Sequence, residues 1–148
     1  MKWDHGRIEI WKMTLNLIAK KPMLGCGPDN LKKGLFISCK YEAVKFYLRT
    51  HTVVDKAHNE YLNIAATIGV PALILYLTFL SLILLPKLKN KSKLNYIFVL
   101  VIISYLSQAF FNISTIGVAP LFWMILGLSD NQYIDGNCLK QKDIRNNK

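Results

Sequence analysis

Histidine is the side chain whose ordinary titration lies closest to neutral pH, and this 148-residue chain has three of them. One stands in an unusual place. In AHNEYLNIAATIGVPALILY, residues 57–76, His58 and Asn59 directly precede an uncharged apolar run that contains Gly69 and Pro71. An imidazole can take part in proton transfer, whereas a histidine at a helix start commonly serves as a simple interfacial cap. The residues alone favour the cap. His51, Asp55 and His58 fall at i, i+4 and i+7, one face of a helix, and their types suit zinc. That spacing matches no established ligand motif, so no metal is expected. Gly25 and Gly27 form a Gly-x-Gly without the third glycine or the preceding strand of a dinucleotide fingerprint, so they read as loop residues free to take positive φ.

The surroundings of these residues follow from composition. The chain is 52% hydrophobic yet carries a formal charge of +10, so charged and apolar residues must be segregated. No Asp, Glu, Lys or Arg occurs from Leu62 to Pro86, nor from Leu94 to Ser129. Both runs exceed the roughly 20 residues that cross a bilayer as helix. The second would make a helix of roughly 54 Å and must fold back within a hydrocarbon core of roughly 30 Å. The polar stretch Asn112–Gly117 is the expected turn. The expected fold is therefore an all-α membrane protein: an outer helical loop domain over residues 1–61, about three transmembrane helices within 62–129 (near 62–86, 94–111 and 115–129), and a tail over 130–148. The third span is short and carries Pro120, so a re-entrant segment is the alternative there.

Lys87, Lys89, Lys91 and Lys93 occupy the short connection between the first two runs without an acid among them, which places that loop in the cytoplasm. Residues 1–61 and His58 then lie outside, and the tail, with Lys140, Lys142, Arg145 and Lys148, lies inside. The N-terminal 61 residues are also basic, but long segments count little in this rule. No signal peptide is read at the N-terminus. Cys26 and Cys39 share the outer compartment, either bridged or as free thiols, while Cys138 lies inside.

In the outer segment, RIEIWKMTLNLIAKK places Ile8, Trp11, Leu15 and Ile18 at helical spacing, which predicts an amphipathic helix ending at Pro22. Between Asn30 and Lys56, Leu31, Phe36, Phe46 and Tyr47 alternate with lysines and Arg49. This is either a solvated face against anionic headgroups or an electropositive basin for a phosphate-bearing substrate, to which Arg49 and Lys56 would add charge. Nucleic acid is not an expected partner. If 57–76 is one helix, His58, Leu62, Ala65 and Gly69 share a narrow face for close packing, and Pro71 bends the helix below it.

His-Asn, nine residues, then Gly, entering an apolar span, resembles the signature of the bacterial O-antigen ligase and polymerase family. GRIEIWKMTLNLIAKKPMLGCGPDN is similar to that family's other outer-loop motif, an arginine shortly before Trp or Leu, an amphipathic helix, then Pro-x-x-Gly-x-Gly. The resemblance implies a multi-pass protein of the plasma (inner) membrane that transfers a glycan from a polyprenyl-pyrophosphate carrier to an acceptor hydroxyl on a lipid or glycan, without metal or cofactor. It implies that Arg7 pairs with the donor pyrophosphate, that His58 acts on the acceptor proton or the departing phosphate, that Asn59 orients it, and that Gly69 serves packing. Family members have more spans, so the chain reads as the C-terminal part of such a glycosyltransferase, with the remaining helices in a separate chain as one partner. The alternative is a small non-catalytic membrane protein whose basic outer domain binds anionic lipid or a protein.

Overall fold

A computed structural model describes residues 3–89, 93–113 and 117–129, with side chains from residue 6 onward. The described residues form seven helices and no strand: α1 Trp3–Lys20, α2 Leu31–Ser38, α3 Lys40–Thr50, α4 Glu60–Thr67, α5 Val70–Lys89, α6 Lys93–Phe111 and α7 Ala119–Ser129. The expected residues 114–116 of the second turn, Lys91, Cys138 and the basic tail lie outside the described residues. Contacts divide the chain into two compact units, 1–78 with 107–114 and 79–106 with 115–148. The fold is that of an all-α membrane protein, with α5 and α6 both long and apolar enough to cross a bilayer. The expected third span contains α7, whose eleven residues reach only about 16 Å as helix.

The first unit is built around α1. Its buried stripe is Ile10, Met13, Thr14 and Leu17, with Trp11 and Ile18 packed against the same core. The expected stripe is thus corrected: Ile8 and Leu15 stay 47% and 52% exposed. Both sets have helical spacing. The one that wins faces Leu31 and Leu35 of α2, Ala43 and Phe46 of α3, and Ala66 of α4. Burial of each fully enclosed leucine, Leu17, Leu31 or Leu35, contributes about 1.5–3 kcal/mol. The segment 30–56, in which apolar and aromatic residues alternate with basic ones, supplies two of the covering helices.

The predicted continuous helix from His58 through Gly69 does not exist. α4 starts at Glu60 and ends at Thr67, and α5 begins at Val70. Residues 62–67, expected in the first span, belong to α4. The break has a local cause: Pro71 has no N–H to give the Thr67 carbonyl, and Gly69 takes φ 117°. The freed groups are satisfied from the Pro22–Gly27 loop. Cys26 N–H donates to Ala66 O at 2.9 Å, Gly27 N–H to Thr67 O at 2.8 Å, and Val70 N–H to Pro22 O at 2.8 Å. This junction leaves no room for side chains. A Cβ on Gly25, at φ 61°, would stand 2.6 Å from Ala66 O, and one on Gly69 would stand 2.2 Å from Met23 O.

In the second unit Tyr105 stacks on Phe122 with centroids 4.0 Å apart, and Phe79 lies 6.3 Å from Trp123. Lys87 is buried and its Nζ donates to the Ser129 carbonyl, bringing the C-terminal ends of α5 and α7 together and satisfying a carbonyl that α7 leaves open.

Cys26 and Cys39 are free thiols. Burial pushes both above the ordinary thiol pKa, partly offset at Cys26 by a backbone hydrogen bond and then Lys21, and at Cys39 by Lys20 against a smaller opposing effect of Glu42. Each therefore stays protonated at pH values where a free thiol has begun to ionise. In a Cys138→Ser background, iodoacetamide labelling of the folded protein should rise at a higher pH than for free cysteine. Labelling in denaturant should follow the free thiol, and identical folded and unfolded profiles would contradict the burial. Gly69→Ala should destabilise by more than the roughly 1–3 kcal/mol of a strained backbone position, because a backbone carbonyl blocks the new methyl. Thermal unfolding in detergent would read this as a large loss, against little change for Gly6→Ala, where nothing stands within 4 Å.

Candidate functional site

Arg7 and His58, separated by fifty positions in sequence, line one cavity of about 380 Å³ in the first unit. Arg7 and Ile10 come from one face of α1 at i and i+3, and Phe46 and Thr50 from one face of α3 at i and i+4. Thr52 and His58 come from the segment between α3 and α4. His58 is half-buried, while Arg7 is exposed at the mouth.

The His58 backbone accounts for its placement. It adopts φ 51°, in the left-handed region, and so leaves the helical path before α4 begins. Asn59 is extended, at φ −158°, and its Oδ1 accepts the Leu62 N–H at 3.0 Å. Asn59, 3% exposed, is thus the N-cap of α4, and His58 is not. On the other side of His58, the fully buried Ala57 gives its carbonyl to Trp11 Nε1–H at 3.1 Å. A bond from α1 and a cap on α4 therefore grip the chain on both sides of the histidine. The rim opposite is ordered by Thr50 Oγ1–H on Phe46 O at 2.9 Å and Thr52 Oγ1–H on Thr50 O at 3.1 Å.

The other sequence candidates fall in different places. Arg49 does not line this cavity; its guanidinium forms a two-pronged ion pair with the Glu9 carboxylate. The hydrogen bonds that Arg49 donates to Glu9 raise its already high pKa. Lys56 is exposed and also outside the lining. Gly25, Gly27, Gly69 and Pro71 all belong to the backbone junction described above. His51 caps α3 in a left-handed conformation, and residues 51–59 are not helical, so the shared face proposed for His51, Asp55 and His58 is absent. Among the described residues no group of three His, Cys, Asp or Glu side chains is placed to hold a metal.

Ile10, Phe46, Thr50 and Thr52 were not singled out for the site by sequence reasoning, nor was Trp11 as an anchor of the histidine. The i, i+3 relation to Arg7 pointed to Ile10. Nothing local pointed to Phe46 and Thr50, because their contribution depends on how α3 crosses α1. The cavity offers a permanent planar cation with up to five donors and, facing the same space, a group that can accept or donate a proton. Such a pair can hold an oxyanion and move a proton near it.

If Asn59 acts as a cap, Asn59→Ala should cost about 0.5–2 kcal/mol of stability, whereas Asn59→Asp and Asn59→Ser should cost little. Thermal unfolding of the three variants checks this; equal losses in all three would mean that the amide does something besides capping.

The family model described as O-antigen ligase matches residues 2–77, just over half of the chain. Every residue of the cavity and of the glycine junction falls within that stretch. No curated protein and no solved structure matches the chain.

Proposed function

The chain belongs to the O-antigen ligase family, and from that premise we propose that it transfers a glycan from a polyprenyl-pyrophosphate carrier to an acceptor hydroxyl at the outer face of the plasma membrane. The observation that supports this reading is the convergence of Arg7 and His58 on one cavity. In the proposed reaction the acceptor oxygen attacks the anomeric carbon of the donor sugar, and the bond from that carbon to the pyrophosphate oxygen breaks. His58 takes the acceptor proton as the new glycosidic bond forms. Arg7 donates paired hydrogen bonds to the departing polyprenyl pyrophosphate, whose charge grows as the bond breaks. The proton on His58 then passes to the pyrophosphate or to solvent.

Transfer needs the imidazole displayed and not used up in holding the fold. Asn59 does the capping and Trp11 holds the Ala57 carbonyl, which favours the enzyme over a membrane protein whose histidine only starts a helix. Phe46 and Ile10 provide an apolar wall that reduces water around the reacting groups. In the proposed topology the lysine-containing connection after α5 is cytoplasmic and the first unit lies outside. The carrier-linked glycan, the acceptor and the membrane are the proposed partners.

His58→Ala should lower transfer by about 10²–10⁴, the usual contribution of a positioned acid or base. Arg7→Ala should lower it by about 10²–10³, the effect of removing one donor to developing negative charge. Arg7→Lys should recover part of the loss, because it keeps the charge but not the paired geometry. The measurement is surface-glycan transfer in a host whose own copy is deleted, at matched membrane levels. Unchanged transfer by His58→Ala would remove the histidine from the chemistry.

A further inference from the structure

A second concavity, of about 320 Å³, opens between α1 and α3 beside the Arg7–His58 cavity, and the two share Phe46 as a wall. Its floor is made by the buried Met13 and Phe46, and its rim by the exposed Lys12, Asn16, Tyr41 and Lys45. The Arg49–Glu9 pair closes one side. No histidine or cysteine lines it.

The charge balance restricts what it can bind. Lys12, Lys45 and Arg49 stand against Glu9 and Glu42, and the Arg49 and Glu9 charges already neutralise each other. A lining so close to neutral does not match a pyrophosphate. It does present an amide, ammonium groups and a carboxylate around an apolar floor, together with a phenol ring that is 75% exposed. Its volume is at the lower end of small-molecule sites, roughly 300–1,000 Å³. Sugar rings have this mixed character: C–H faces that pack on an aromatic ring, and hydroxyl edges that both donate and accept.

We infer that this groove is a glycan subsite, holding sugar residues next to the linkage transferred in the neighbouring cavity. The position of the reacting bond rests on the function proposed above; the binding itself does not. Contacts to sugars away from the reacting carbon would select the glycan and supply binding energy for its orientation.

The test uses the full chain carrying His58→Ala in lipid nanodiscs, so that transfer does not consume the ligand. The probe is the repeat-unit oligosaccharide released from the host's own surface polysaccharide, and binding is read by saturation-transfer NMR and calorimetry. The His58→Ala protein should bind the probe. Adding Tyr41→Ala and Lys45→Ala should weaken binding at least tenfold, while adding Lys33→Ala, on exposed α2 surface outside the groove, should leave it unchanged. Circular dichroism verifies that the variants fold. Equal binding without Tyr41 and Lys45, or no binding by any of the proteins, overturns the inference. Full transfer by His58→Ala in cells would overturn the proposed chemistry and leave this binding result to stand or fall alone.

Discussion

Two backbone carbonyls, those of Ala66 and Thr67, receive no helix amide, and the first unit is organised around that deficit. Pro71 has no N–H, and the N–H of Val70 points to Pro22 instead. The vacancies are filled by Cys26 and Gly27, at 2.9 and 2.8 Å, so the loop after α1 is fastened to the point where α4 gives way to α5. Unpaired backbone groups in a protein interior are costly. The break in the helix and the docking of the loop are therefore one event. Glycine is required at Gly25 and Gly69 because the two backbones approach within the radius of a methyl group.

That junction fixes the end of α4 remote from the site, and α1 controls the other end. Trp11 lies in the same helix as Arg7 and bonds to the carbonyl just before His58. The cation and the imidazole are therefore referred to one rigid element instead of to two independent loops. Asn59 completes the arrangement by starting α4 immediately after the left-handed turn at His58. A residue in that conformation costs about 1–3 kcal/mol and persists only where its surroundings impose it, and here a cap and a buried carbonyl flank it. The result is a side chain whose place in the cavity lining is set by backbone geometry.

The second unit has a different character. Its helices expose aliphatic residues such as Leu82, Leu100 and Ile103, as expected of surfaces that meet lipid or other apolar helices, and its internal order comes from the stacked Tyr105 and Phe122. Lys87 is an exception. Sequence counting treats it as a loop charge, yet it is buried on the Ser129 carbonyl. Its partner lies far along the chain, so no local rule could reveal that the ammonium group serves a helix terminus.

The sequence by itself determined the segregation of charge from apolar runs, the helical class and the two long apolar helices, whereas Arg7, His58 and Gly69 were grouped only through the resemblance to family motifs. The first three follow from composition, local periodicity and the special backbone chemistry of glycine and proline, which act over a few residues. It misplaced the buried stripe of α1 and joined α4 to α5, because competing stripes have the same period and because the helix break is stabilised by a loop some forty residues earlier. Only the tertiary structure decided that His58 leaves the helix, that Asn59 and not His58 caps it, that Arg49 is paired with Glu9, and that Phe46 and Thr50 complete the cavity. Each of these depends on which helices cross and at what rotation. That outcome is set by the summed packing and hydrogen bonding of the whole unit, not by any segment within it.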